Sequence, residues 1–417
     1  MYRRPRKAPF LALAALLAFW GSGTVVADET MQGFGAGTAD LPAAFDITSF
    51  YEFEGSLSAE EPGTILKAEP IEAPEGANAW RIMYVSRDVN DKPIPVTGLV
   101  IAPKGQTPVP RPVLSWAHGT TGTARGCAPS LAKNPARAFH RRGGEERNPI
   151  DIGIPWAADF LDQGFVIAAT DYNGLGAPGA HHYLVGETTA RNTLDIARAA
   201  GSIDAAKAGT DVVLLGWSQG GQAALFAGEI AETYAPELTL RGITALAPAA
   251  TLPEGEHLDA FYRAPVPHAY LAANGFHAAY GLPLDSFNVH GTALLEAAKQ
   301  GCVLDVFNKI AATDAPGVTK DMSKIDGWSE AHRRNQAGQK KSATPVLVLH
   351  GTADNVVLPV GSALYQERAC ASGTQLALYW EDGADHRTLL DVARDQVLAW
   401  TANRLHGETP RVNCPSP

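Results

Sequence analysis

Cysteine is scarce: four in 417 residues, too few for a small scaffold held together by disulfides. Charge is sparse too. Charged residues make up 19% of the chain, and 34 basic against 44 acidic side chains leave a formal net charge of −10. That balance lacks the basic footprint of a nucleic-acid binder and gives no electrostatic reason to adsorb to anionic lipid. No apolar run approaches the roughly 20 residues that a helix needs to cross a bilayer. No H-E-x-x-H pattern is present, and the cysteines are not spaced as metal ligands, so neither metal nor cofactor is expected. The 41 glycines and 29 prolines are spread out rather than gathered into low-complexity tracts, which excludes wholesale disorder. What remains is an acidic globular chain, 45% hydrophobic and long enough for one large domain with an insertion, or for two domains.

Residues 1–27 read as a secretory signal. Arg3, Arg4, Arg6 and Lys7 form a basic start, residues 10–20 an apolar stretch, and Val25-Val26-Ala27 an A-x-A-like cleavage site. A secreted or periplasmic protein is expected, with no integral membrane segment in the mature chain. Export places the cysteines where pairing is favoured, and four thiols allow three connectivities. Neighbour pairing, Cys127 with Cys302 and Cys370 with Cys414, gives each bridge a task. The second would tie down a short polar tail.

Residues 28–75 show little periodicity and read as an irregular N-terminal segment. Short apolar runs rich in β-branched residues then recur at 81–86, 97–101, 113–116, 165–169, 212–215, 242–246, 346–349 and 375–380. Runs bounded by Gly or Pro suit strands buried on both faces. Helical stretches at 189–206, 221–234, 361–371 and 387–405 alternate with the later runs, which predicts a mostly parallel, helix-flanked sheet of the α/β class. The turn signal at 90–93 predicts an antiparallel hairpin between the first two strands. Residues 251–343 break the rhythm as a helical cap inserted between core parts 76–250 and 344–417. Clustered aromatics there, among them Tyr262, Tyr270, Phe276 and Tyr280, either pack a small core of the cap or face a substrate.

Gly216-Trp217-Ser218-Gln219-Gly220 matches G-x-S-x-G between an apolar strand and a helix rich in small residues, the context of a nucleophile elbow. A serine hydroxyl needs a base and an orienting acid. Beyond Ser218, the strand at 346–349 runs into a loop holding Asp354, and the strand at 375–380 into one holding His386. That is the chain order of an α/β-hydrolase triad. His350 and His332 are rival bases; Asp382 and Asp385 are rival acids. The oxyanion hole needs two backbone N–H groups: Gln219 supplies one, and Thr121 or its neighbour Thr120 the other. Gly174–Gly179 fits G-x-G-x-x-G, but Pro178 opens no helix, so dinucleotide binding is not expected. Adjacent His181 and His182 point to opposite faces of an extended segment and suggest a loop or cap contact rather than a metal.

Ser218, Asp354 and His386 in these settings resemble an α/β-hydrolase. More specifically, the chain is similar to the secretory lipase family, of the lipase A type. The carrying pieces are Ser115-Trp-Ala-His-Gly-Thr-Thr-Gly122 with Cys127-Ala-Pro-Ser130, Asp171-Tyr-Asn-Gly-Leu-Gly176, the elbow, His350-Gly-Thr-Ala-Asp354 and Asp385-His386. The resemblance covers roughly residues 76–406 and implies an α/β-hydrolase fold with a helical cap or lid, and disulfides that support the neighbour pairing. It implies a lipase or carboxylesterase acting on small-molecule or lipid esters without a cofactor. Where the lipase A type carries an acidic residue in its oxyanion loop, this sequence has Gly119-Thr120-Thr121-Gly122. An acyltransferase or serine peptidase would share the triad; a non-catalytic binding protein would usually have lost part of it.

Overall fold

The computed structural model describes residues 44–136, 153–312 and 315–414; the signal-like segment 1–27 lies outside them. The chain opens with β1 (Ile65–Ile71), β2 (Ala77–Arg87), β3 (Pro93–Pro103) and β4 (Arg111–Ala117). Helix α1 (Ala157–Asp162), β5 (Val166–Asn173), α2 (Gly186–Gly201) and β6 (Ala208–Trp217) follow, then α3 (Gln219–Tyr234) and β7 (Thr239–Leu246). Five helices come next: α4 (Glu256–Arg263), α5 (Pro267–Tyr280), α6 (Val289–Gln300), α7 (Val303–Ala311) and α8 (Trp328–Arg334). The chain then returns through β8 (Val346–Gly351), α9 (Pro359–Ala371), β9 (Leu376–Glu381), α10 (Leu389–Val392) and α11 (Arg394–Leu405).

The strands form one nine-stranded sheet in the order β1-β2-β3-β5-β4-β6-β7-β8-β9. β1, β2, β3 and β5 pair antiparallel, and every pair from β5 to β9 is parallel. The expected hairpin joins β2 to β3, with Asp88 accepting from the Asn90 and Lys92 N–H groups to shape its turn.

The apolar runs are continuous because both faces of the sheet are covered. On β6, Val212 and Leu214 enter a core shared with Leu194 of α2, Ala224 of α3 and Tyr365 of α9. Val213 and Leu215 enter the opposite core, with Phe160 of α1, Leu389 of α10 and Val397 of α11. The same alternation runs through β4, β5, β7 and β8, since successive side chains of a strand point to opposite faces. The stretch read as an irregular N-terminal segment holds a strand instead, β1, paired with β2 along the sheet edge. Lys67, Glu69 and Pro70 hide it in the sequence. A strand that is half-exposed and paired on one side tolerates charge and proline that an inner strand does not.

Candidate active site

β6 runs from the buried core into a turn at the middle of the sheet. A Cβ at Gly216 would fall on the carbonyl of Gly220, and one at Gly220 on the carbonyl of Ala117. Only glycine lets strand, turn and helix approach so closely. Between them Ser218 adopts φ 59° and ψ −119°, a costly conformation for a residue with a side chain. It is held by backbone bonds: its N–H donates to Leu246 (2.9 Å), and its carbonyl accepts from Gln222 and Ala249. Ser218 thus caps the N-terminus of α3, where the unpaired N–H groups and the helix dipole favour a developing negative charge.

Asp354 follows β8, and its Oδ2 lies 2.7 Å from Nδ1 of His386. Its other oxygen accepts from the N–H groups of Val356 and Val357, both at 2.9 Å. Burial pushes the Asp354 pKa up, but His386 and His350 beside it more than reverse this and hold the carboxyl well below its ordinary range. His386 reaches the elbow through Trp217. The two rings lie 4.8 Å apart, and the indole N–H donates to the His386 carbonyl at 3.0 Å. Ser218, Asp354 and His386 are 5%, 3% and 6% exposed, so the three are buried rather than set on an open surface.

The rival residues are occupied elsewhere. His350 is wholly buried, with Nε2 2.8 Å from the Val357 carbonyl and Nδ1 2.7 Å from the Ser362 hydroxyl, and it faces Asp354 from behind at 3.2 Å. His332 meets the Tyr262 hydroxyl in the cap. Asp385 accepts from Arg387 and Thr388 to shape its own turn, and Asp382 accepts from the Thr352 hydroxyl.

The loop after β4 is tied to its surroundings almost residue by residue. Tyr172 donates its hydroxyl to the His118 carbonyl (2.9 Å), and the Thr120 hydroxyl meets that of Tyr183 at 2.7 Å. Thr121 accepts from the N–H of Val303 at the start of α7, Gly122 bridges Cys302, and Thr123 donates to Ala298 of α6. A disulfide from Cys127 to Cys302 fastens the same junction, and a second joins Cys370 of α9 to Cys414. The neighbour pairing is therefore the one present. Buried His118 lies with its two ring nitrogens near the carbonyls of Gly119 and Asp171, and burial lowers its pKa to about 4, which fits a neutral structural ring.

Of the two roles expected for the four aromatics of residues 251–343, the packing role is the one seen: Tyr262, Tyr270 and Phe276 lie in one buried core of these helices, and Tyr280 packs against it. Tyr262 packs edge-on to Trp328 at 5.1 Å, Phe276 to His332 at 5.1 Å, and Tyr270 lies 6.2 Å from Phe287. Tyr280 is bound to Asn335 and lies under Arg334. Five short helices standing on a sheet that is already covered must bury their inner faces against one another, and the aromatics supply that area. Two further histidines lie beside the site: His268, which the sequence reading passed over, and His181, which it placed only as a loop or cap contact. His268, in the first turn of α5, is close enough to His386 to repel it when both are charged, and burial and that charge lower its pKa to about 4. His181 binds the Gln219 side chain. Neither carries a local motif; only the folding of distant segments brings them here. Among the described residues no cluster of His, Cys, Asp and Glu could hold a metal, and no helix is long and apolar enough to cross a membrane.

The family model for secretory lipases matches residues 150–413. Lipase A of Moesziomyces aphidis is 22% identical over 409 residues, spanning 91% of this chain and 84% of that protein. A probable inactive lipase of Mycobacterium tuberculosis (strain CDC 1551 / Oshkosh) is 22% identical over 370 residues, spanning 83% of this chain and 79% of its own. The crystal structure of Candida antarctica lipase A in its closed state superimposes with a TM-score of 0.71 at 19% identity, covering 91% of this chain and 90% of that one.

Proposed function

The chain belongs to the secretory lipase family and is a carboxylic ester hydrolase with an α/β-hydrolase fold, and we propose that Ser218, His386 and Asp354 carry the hydrolysis through an acyl-enzyme. The observation that supports this most is the 2.7 Å contact between Asp354 Oδ2 and His386 Nδ1. An ionised carboxylate can only accept, so the proton sits on Nδ1 and the lone pair is left on Nε2. That nitrogen takes the Ser218 proton as Oγ attacks the ester carbonyl carbon. The oxyanion is held by the N–H groups of Gln219 and Thr121, with Thr120 the alternative to Thr121, each donor contributing roughly 3 kcal/mol. Collapse expels the alcohol, which takes its proton from His386. Water then attacks the acyl-enzyme with His386 again as base, releasing the acid and restoring Ser218. All three residues are present here, which favours turnover, although one relative is described as a probable inactive lipase. The basic and apolar N-terminal segment, the two disulfides and the family support secretion or transfer to the periplasm.

The test is hydrolysis of p-nitrophenyl esters of rising acyl length, combined with an organophosphonate that phosphonylates the nucleophile. Hydrolysis is expected, together with a single labelled peptide containing Ser218. Label on another residue, or turnover untouched by complete labelling, would end the proposal. Rates climbing toward long chains mark a lipase; rates confined to acetate and butyrate mark a carboxylesterase.

The Cys127–Cys302 bridge holds the loop that bears the second oxyanion donor against α7. Removing it with Cys127→Ser and Cys302→Ser should lower kcat about tenfold and cost about 2–5 kcal/mol of stability. Removing Cys370–Cys414 should cost stability with kcat unchanged, because that bridge fastens only the C-terminal tail to α9. Equal kcat losses in the two pairs would show that the effect is general loosening.

A further inference from the structure

We propose that His181 is a positioning residue for the oxyanion hole, acting through the Gln219 side chain, an inference that rests on the hydrolase reading above. Nδ1 of His181 lies 2.8 Å from the Asn173 carbonyl at the end of β5. A carbonyl only accepts, so that nitrogen carries the proton and Nε2 is an acceptor. Burial lowers the pKa of the ring to about 3, which keeps it neutral at working pH. Nε2 then accepts from Nε2 of Gln219 at 2.9 Å. Gln219 is the first residue of α3 and is buried, and its Oε1 has no partner among the described residues. The tie to His181 therefore decides how the first turn of α3 sits, and with it the backbone N–H that faces the oxyanion.

The same ring connects to the other half of the hole through two neighbouring tyrosines. His181 stacks on Tyr172 (5.8 Å between centroids, planes 21° apart), and Tyr172 lies 4.5 Å from His118. On its other side His181 meets Tyr183 at 6.0 Å, whose hydroxyl binds that of Thr120. Four rings thus span from Gln219 to the loop at 118–121 and set the separation of the two donors. Tyr172 holds φ 67°, a left-handed conformation costly for a bulky residue, and it orients a ring at the centre of this stack.

The experiment measures kcat and KM on a p-nitrophenyl ester for His181→Phe, His181→Gln, Gln219→Met and the double variant His181→Phe/Gln219→Met, with Ser218→Ala alongside. Phenylalanine keeps the stack and removes the acceptor; glutamine restores one. His181→Phe should lower kcat about tenfold with KM within about twofold, and His181→Gln should recover part of the loss. Because the two residues act as one unit, the double variant should be no slower than Gln219→Met alone. Multiplying losses, or a His181→Phe kcat within about twofold of the parent, overturns the positioning role. If His181→Phe does not fold, Gln219→Met decides alone, and an undiminished kcat there overturns it too. Activity surviving in Ser218→Ala overturns the hydrolase reading and this inference with it, whereas an inactive Ser218→Ala beside a fully active His181→Phe overturns only the inference.

Discussion

Ser218→Ala should abolish ester turnover, lowering kcat by about 10⁴- to 10⁶-fold, while the thermal midpoint stays within a few degrees of the parent. The fold should survive because what holds this residue is backbone. Its N–H donates to Leu246, its carbonyl accepts from Gln222 and Ala249, and alanine keeps all three bonds. The strained φ of 59° is imposed by the strand–turn–helix junction and costs alanine no more than serine. The function is lost because no other atom at the head of α3 can form the covalent bond to the acyl carbon. What activity remains would come from the oxyanion donors and binding alone. The measurement is steady-state hydrolysis with a parallel unfolding curve. A folded variant that keeps more than about one per cent of the parent rate would remove Ser218 from the mechanism.

The second large effect is at Asp354. Asp354→Asn should lower kcat about 10⁴-fold with little change in KM, for a reason that this site makes unusually strict. Oδ1 of Asp354 accepts from two backbone N–H groups, those of Val356 and Val357. In the variant the amide oxygen must stay there, since turning the amide over would set its NH₂ against two donors. The NH₂ is then directed at His386 Nδ1, which can meet it only as an acceptor. The imidazole proton moves to Nε2, the wrong nitrogen to receive one from Ser218. The acid side of the pH profile follows from the same geometry. With its pKa held below the ordinary aspartate value, the stability that Asp354 contributes is in place above about pH 4 and lost only as pH falls through the lower folded value. Activity lost on mild acidification therefore does not belong to this carboxyl. A loss under about tenfold in Asp354→Asn would mean that another carboxylate orients the base, against the bonds to Thr352 and to its own turn in which Asp382 and Asp385 are found.

Much of this was legible in the amino-acid order because it is local. The elbow is a steric statement about five consecutive residues: Gly216 and Gly220 leave room for carbonyls, and the apolar run before them is a strand wherever it is covered on both sides. Asp354 and His386 stand just past the ends of β8 and β9, and parallel neighbouring strands deliver both loops to the same edge of the sheet. Strand β1 was hidden because an edge position relaxes the apolar requirement on which recognition depends. Tertiary structure alone decided the rest. Tyr262 and Phe276 are aromatic in either role, and only the packing of five helices on one another turns them into the cap's core. His181 and Gln219 lie 38 positions apart, and nothing in either neighbourhood announces the other. Which nitrogen of a ring carries its proton, and whose side chain that ring holds, is settled by segments that meet only when the sheet has formed. Short-range sterics and periodicity are written in neighbouring residues; the partner of a buried polar group is not.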